Sequence, residues 1–353
     1  MTAAPRPLDG IRVLDFTRYI PGPYGTLLLA SMGADVVKVE PPAFGDPMRR
    51  LALDDDGGAR AHEWLNRGKR SVAIDLRSEE GASALKRLAA QADVLVEGFR
   101  PGVLARRGLG AEALQAANPR LVYCSLTGYG PLGPLADHAG HDVNYIGLGG
   151  LLALNRGPEG PVLPRVQLAD MTGGLLAALA VLAALHARER TGRGQVVDVS
   201  LLDGVRALMA VPAARGLGRA GRPDALGGDY ACYNVYRCRD GRHVSVGALE
   251  TKFWDALCAA LDLPAGAREQ WPQTEERRRA GIEAVSAAFG SRDRDDWVRV
   301  LAPADACVEP VLDLDESVGR FGPPDVPFGL QDTPLRTGDR APALGEHTAE
   351  VLR

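Results

Sequence analysis

Short apolar segments alternate with helix-like ones over the first 130 residues, and this alternation limits the fold more than any other feature of the chain. Residues 13–16, 35–40, 71–76, 93–99 and 121–126 have the apolar, β-branched character of buried strands. The second of these is ended by Pro41-Pro42. Between them, residues 23–32, stopped by Gly33, and residues 79–90 read as helices. Apolar strands separated by helices predict an α/β fold, a mostly parallel sheet with helices on its faces.

The pattern changes further on. A long helix is expected over 171–190, with Asp170 as a candidate N-cap. Its apolar run, 175–185, is shorter than the roughly 20 residues a bilayer span needs, so it reads as a buried helix. A further strand is expected over 195–201, and residues 213–230, rich in Gly, Ala, Arg and Pro, read as a linker. A hairpin follows, 233–237 and 243–247, turned by Asp240-Gly241. Helical patterns at 251–262, 276–289 and 294–301 complete a small α+β domain. Residues 320–342 are again rich in Pro and Gly, and a helix over 346–352 closes the chain. The expected division is a large domain over 1–190 completed by 336–353, a linker over 191–227, a small domain over 228–312 and a return linker over 313–335.

Composition narrows the function classes. A net charge of −4 offers no global basic field to nucleic acid. The five cysteines are odd in number and none has zinc-knuckle spacing, which fits reduced thiols in a cytoplasmic protein. The first ten residues lack the apolar core of a signal peptide, and no membrane association is expected.

One motif misleads. Gly128-Tyr-Gly130-Pro-Leu-Gly133 matches G-x-G-x-x-G after a strand, but Pro131 and Pro134 oppose the helix start that a dinucleotide pyrophosphate needs. Three other segments carry chemistry: Ala-Gly-His-Asp-Val-Asn-Tyr at 139–145, Leu-Ala-Asp-Met-Thr-Gly-Gly at 168–174 and Val-Gly-Ala-Leu-Glu at 246–250. Taken singly, His141 is a loop histidine, and Asp170 and Glu250 are helix caps. Taken together, His141, Asp170 and Glu250 are an acid–base set able to remove a proton from one face of a carbon and return one to the other. Cations also gather near the expected strand ends: Lys38, Arg67, Lys69, Arg70, Arg77, Arg100 and Arg106. They are either ordinary surface charge or a phosphate site.

Over nearly its whole length the chain resembles the family III CoA-transferases, the CaiB/BaiF superfamily, and within them the α-methylacyl-CoA racemases. The resemblance rests on Leu8-Asp-Gly-Ile-Arg-Val-Leu-Asp, Gly33-Ala-Asp-Val-Val-Lys-Val-Glu, Arg67-Gly-Lys-Arg-Ser-Val-Ala-Ile-Asp-Leu and Glu97-Gly-Phe-Arg-Pro-Gly. Thr191-Gly-Arg-Gly-Gln-Val-Val-Asp and Gly345-Glu-His-Thr-Ala-Glu-Val-Leu add to it. It implies a Rossmann-like large domain and a small domain in an interlocked homodimer, with each site shared between the large domain of one subunit and the small domain of the other. It implies a catalytic histidine at His141, an aspartate at Asp170 and a partner glutamate at Glu250. It also implies CoA contacts at Lys38, at Ile74, Asp75, Leu76 and Arg77, at Gly98, Phe99 and Arg100, at Arg106, and at Gly140, Asp142, Val143, Asn144 and Tyr145. Lys38 departs from the arginine usual in the racemases.

In the transferase branch the aspartate is a nucleophile and the histidine is generally missing. With all three positions filled, the expected reaction is inversion at C2 of a 2-methylacyl-CoA thioester through an enolate held at the Asp170 helix N-terminus, and the alternative is CoA transfer through Asp170. Neither requires a metal or redox cofactor; coenzyme A belongs to the substrate.

Overall fold

The structure, a computed structural model, describes residues 5–51, 57–217 and 223–353. Residues 1–4 of the N-terminal stretch and 218–222 of the expected linker lie outside the described residues. The chain divides into two compact units, one running to Ala214 and resuming over Val326–Arg353, the other between Arg215 and Asp325.

The larger unit begins with β1 (Arg12–Phe16), α1 (Pro21–Ser31), β2 (Asp35–Glu40), α2 (Gly57–Asn66), β3 (Arg70–Ala73), α3 (Glu79–Ala90), β4 (Val94–Glu97), α4 (Ala111–Ala117) and β5 (Val122–Thr127). It continues with α5 (Asp142–Leu148), α6 (Leu151–Leu154), the two-residue strands β6 (Arg156–Gly157) and β7 (Gly160–Pro161), α7 (Leu168–Thr191), β8 (Val196–Ser200), α8 (Leu201–Leu208) and α9 (Ala210–Ala214). Six strands form one parallel sheet in the order β3-β2-β1-β4-β5-β8. The order reverses between β1 and β4, the place where open α/β sheets part their loops and admit ligands. Val13, Val94 and Val122 face one apolar layer and Leu14, Leu95 and Leu121 the other, so the strands are apolar on both sides.

The helix predicted over 171–190 starts three residues earlier, and its apolar length exceeds the expected run. By length and composition α7 could cross a membrane. Its inner face is instead packed into the core: Gly173, Gly174, Ala177, Ala178 and Val181 are buried. Gly174 lies against α1 so closely that an added Cβ would come within 2.5 Å of the Pro21 carbonyl oxygen, and one on Gly25 within 2.7 Å of the Gly174 oxygen. Backbone-to-backbone contact of this kind needs glycine on both sides, and it fixes the start of α7 beside the loop after β1.

The expected division also shifts. Residues 191–214, assigned to the linker in the expected division, belong to the larger unit: β8 falls within the strand expected over 195–201, and α8 and α9 follow it. The C-terminal helix α14 (Thr348–Val351) shields the outer strand β3: the Ser71 and Ala73 N–H groups donate to His347 Nδ1 at 3.2 Å and Thr348 Oγ1 at 3.0 Å.

The smaller unit holds β9 (Tyr233–Arg237), β10 (His243–Gly247), α10 (Thr251–Ala260), α11 (Glu275–Phe289), α12 (Arg294–Leu301), β11 (Val308–Pro310) and α13 (Leu314–Phe321). Its antiparallel sheet runs β11-β10-β9. The hairpin falls where the sequence placed it, with Gly241 at φ 84° in the turn. Trp254, Phe289, Trp297 and Tyr236 fill its core. Helix α13 lies within the segment expected as return linker.

Candidate active site

Among the described residues, two neighbouring cavities of the larger unit are lined by the loops after β1 and β4. That position is the reversal point of the sheet. The first, of about 300 Å³, is lined among others by Tyr19, Gly98, Arg100, His138, Gly140, His141, Tyr145 and Asp170. The second, of about 230 Å³, is lined by Val39, Phe44, Ile74, Asp75, Leu76, Arg77, Leu104 and Arg107. Thr17, Arg18 and Phe99 line both.

His141 and Asp170 therefore share one cavity although 29 positions separate them in the chain. His141 is not in a loop proper but at the N-cap of α5, with extended backbone (φ −129°, ψ 175°). Its N–H donates to Asn144 Oδ1 at 3.0 Å. Its ring meets Tyr19 edge to face, with centroids 6.2 Å apart. Tyr19 holds φ 64°, an uncommon conformation for a bulky residue. Gly140 is held by Tyr145, whose hydroxyl donates to the Gly140 carbonyl at 2.7 Å.

Asp170 is not the N-cap of α7. Gln167 occupies that position, and Asp170 is in the first turn. The cap comes from another element: Asp142 Oδ1 accepts from the N–H groups of Ala169 at 2.7 Å and Asp170 at 3.1 Å. Asp142, expected as a CoA contact, thus ties the start of α5 to the start of α7. The helix N-terminus expected to hold an enolate oxygen therefore has its Ala169 and Asp170 N–H groups already taken by this carboxylate. Burial, and then the neighbouring Asp142 charge, push the Asp170 carboxyl up to about 7. A carboxyl in that range exchanges protons readily near neutrality.

The expected CoA contacts separate into groups. Ile74, Asp75, Leu76 and Arg77 line the second cavity, Gly98, Arg100, Gly140 and Tyr145 the first. Val143 and Asn144 lie on the exposed side of α5 and line neither. Arg106 also lines neither; Arg107 does, and donates to the Leu76 carbonyl at 3.3 Å.

Lys38 is a clear correction. It is 0% exposed, and its ammonium group donates to the Thr17 carbonyl at 2.9 Å and pairs with Asp46 at 2.9 Å. The strand's alternation turns this side chain into the protein, where Asp15, Asp46 and Glu40 raise its pKa against the effect of burial. Asp15 is the counterpart: burial alone would raise it, but Lys69 and Lys38 hold it well below the usual carboxylate range. This cluster sits under the loop after β1 and pins it, with the Tyr19 N–H donating to Asp46 Oδ1 at 3.3 Å.

Glu250 belongs to the smaller unit. It is exposed at the N-cap position of α10, and its carboxylate makes no capping hydrogen bond. The G-x-G-x-x-G run leads into no helix: β5 is followed by bends and turns until α5, with Gly130 and Gly133 at φ 86° and 99°.

Sequence reasoning missed Arg18, Tyr19 and His138. The signal for the first two was available, because they follow the C-terminal end of β1. His138 carried no motif and enters the cavity only through the path of its loop.

The model of CoA-transferase family III matches residues 8–320. The human alpha-methylacyl-CoA racemase is 34% identical over 98% of this chain and 92% of its own length. The succinyl-CoA--L-malate CoA-transferase alpha subunit of Chloroflexus aurantiacus is 33% identical over 98% of this chain and 88% of its own. The crystal structure of a CAIB/BAIF family protein from Brucella suis superimposes with a TM-score of 0.84, 32% identity and 98% coverage of both chains. With the reversal-point site, the six-stranded parallel sheet and a match across most of its length, the chain belongs to CoA-transferase family III.

Proposed function

We propose that this enzyme inverts C2 of a 2-methylacyl-CoA thioester by two-base proton transfer. The observation that carries the reading is the pairing of His141 with an Asp170 carboxyl raised to about 7 on the wall of one cavity. With one epimer bound, neutral His141 takes the α-proton and protonated Asp170 returns one to the opposite face. With the other epimer the roles exchange. Negative charge grows on the thioester oxygen in a cavity that also carries Arg100, and its positive potential favours it. This chemistry calls for no metal or redox cofactor.

CoA transfer through a covalent Asp170 anhydride is the competing reading, since transferases are similar to this chain to nearly the same degree. A nucleophilic carboxylate must be ionised, and burial of Asp170 opposes that. The same environment suits a proton donor.

Glu250 is proposed to orient His141 across a homodimer, as a carboxylate orients a triad histidine. The larger unit leaves apolar side chains in solvent that a second subunit would cover, among them Leu175, Leu179, Val211, Leu163 and Val166.

The test is a 2-methylacyl-CoA incubated in heavy water. Deuterium should appear at C2 and the epimers should interconvert, with His141→Ala slowing both by about 10²–10⁴-fold. Hydroxylamine added with substrate should leave the enzyme active. Inactivation with a modified Asp170, together with acyl-CoA formation from a free acid, would establish the transferase instead.

A further inference from the structure

We propose that Arg18 grips the pyrophosphate of the bound CoA thioester at the junction of the two cavities. The inference rests on the acyl-CoA reading above and adds a residue and a subsite to it.

Among the described residues that line these cavities, Arg18 is the cation common to both. Its guanidinium carbon lies 5.0 Å from the centroid of Phe99, which also lines both. Stacking on an aromatic ring fixes the plane of the guanidinium and leaves its edge N–H groups open. No carboxylate of the described residues pairs with it. The other cations differ. Lys38 is buried against Asp46, Arg77 is paired with Asp75 at 3.0 Å, and Arg107 donates to the Leu76 carbonyl. Arg100 lines the first cavity alone.

The backbone on either side of Arg18 is fixed from below. The Thr17 N–H donates to Asp15 Oδ1 at 2.9 Å, the Thr17 carbonyl accepts from Lys38, and the Tyr19 N–H donates to Asp46. The buried Asp15, Lys38 and Asp46 thus hold the loop, and Arg18 is left to meet the ligand.

The order of the walls says which part of the ligand arrives there. The second cavity, with Val39, Ile74, Leu76, Phe44 and Leu104, suits a purine face. The first ends at His141 and Asp170, where the α-carbon must lie. A nucleotide thioester running from one to the other carries its pyrophosphate just after the nucleoside, at the junction. A planar guanidinium fork matches two phosphate oxygens.

Calorimetric titration of the full chain with CoA and with 3′-dephospho-CoA tests this. The Arg18→Met variant keeps the length and the stacking surface but removes the charge. It should weaken both ligands by the same factor, about 10- to 100-fold, as expected for a lost charge-assisted contact. Arg18→Lys should recover part of the loss, and in turnover the variants should raise KM far more than they lower kcat. Unchanged CoA affinity in Arg18→Met would overturn the proposal. So would a loss confined to CoA, which would place Arg18 on the 3′-phosphate. If the unaltered protein binds neither ligand, the acyl-CoA reading itself fails, a result separate from either of these.

Discussion

Replacing Asp170 with Asn removes a charge that the fold disfavours, so the variant should gain stability relative to the parent as pH rises. The carboxyl moves from 3.8 to about 7, through burial first and the Asp142 charge second. The native state therefore keeps a proton that the unfolded chain releases, and parent stability falls as pH climbs from about 4 to about 7. Roughly three pH units at 1.36 kcal/mol each amount to about 4 kcal/mol, present in full above pH 8. About 3 kcal/mol of it develops between pH 4.5 and 8.5. Urea unfolding of both proteins at those two pH values reads this difference, and the carbon-13 resonance of the Asp170 carboxyl reads the titration directly. Asp142→Asn supplies a second arm. Asparagine still accepts the Ala169 and Asp170 N–H bonds but carries no charge, so the Asp170 midpoint should drop below 7 while α7 stays capped. If the stability difference between parent and Asp170→Asn is the same at both pH values, or the carboxyl titrates near 4, burial does not set its protonation and the acid–base assignment loses its support.

Gly174→Ala should destabilise the larger unit by about 1–3 kcal/mol, because its Cβ meets the Pro21 carbonyl oxygen at 2.5 Å and backbone must move; thermal unfolding unchanged within 1 °C would contradict the close contact of α1 and α7. Co-expressed His141→Ala and Glu250→Ala chains should recover part of the α-proton exchange that each lacks alone, and mixed dimers as inactive as the single variants would remove Glu250 from the site.

The strands of the sheet were legible because each one is apolar on both faces, a local property that residues such as Val13, Leu14 and Val94, Leu95 carry by themselves. The hairpin was legible because Asp240-Gly241 states its turn. The first helix of the site was not. Asp142–Leu148 is only seven residues long, and its first residue bonds to the Ala169 and Asp170 N–H groups, partners that the one-dimensional pattern does not place. The family resemblance implied Arg106 where Arg107 lines the cavity, since one residue turns a side chain through a large angle in a 3-10 turn.

What the sequence by itself determined is the set of local elements and the chemical types available: an imidazole, an aspartate, an exposed glutamate and several cations. Which of these can act was decided by tertiary structure. Lys38 and Arg18 are both cations near strand ends, yet one is sealed against Asp46 and the other stands open on Phe99. Asp142 and Asp170 are both helix-start aspartates, yet one caps the other's helix and the second is left half-buried, with its carboxyl pushed up to about 7. Desolvation and charge pairing depend on atoms that arrive from distant parts of the chain, so they are fixed only when the chain has packed.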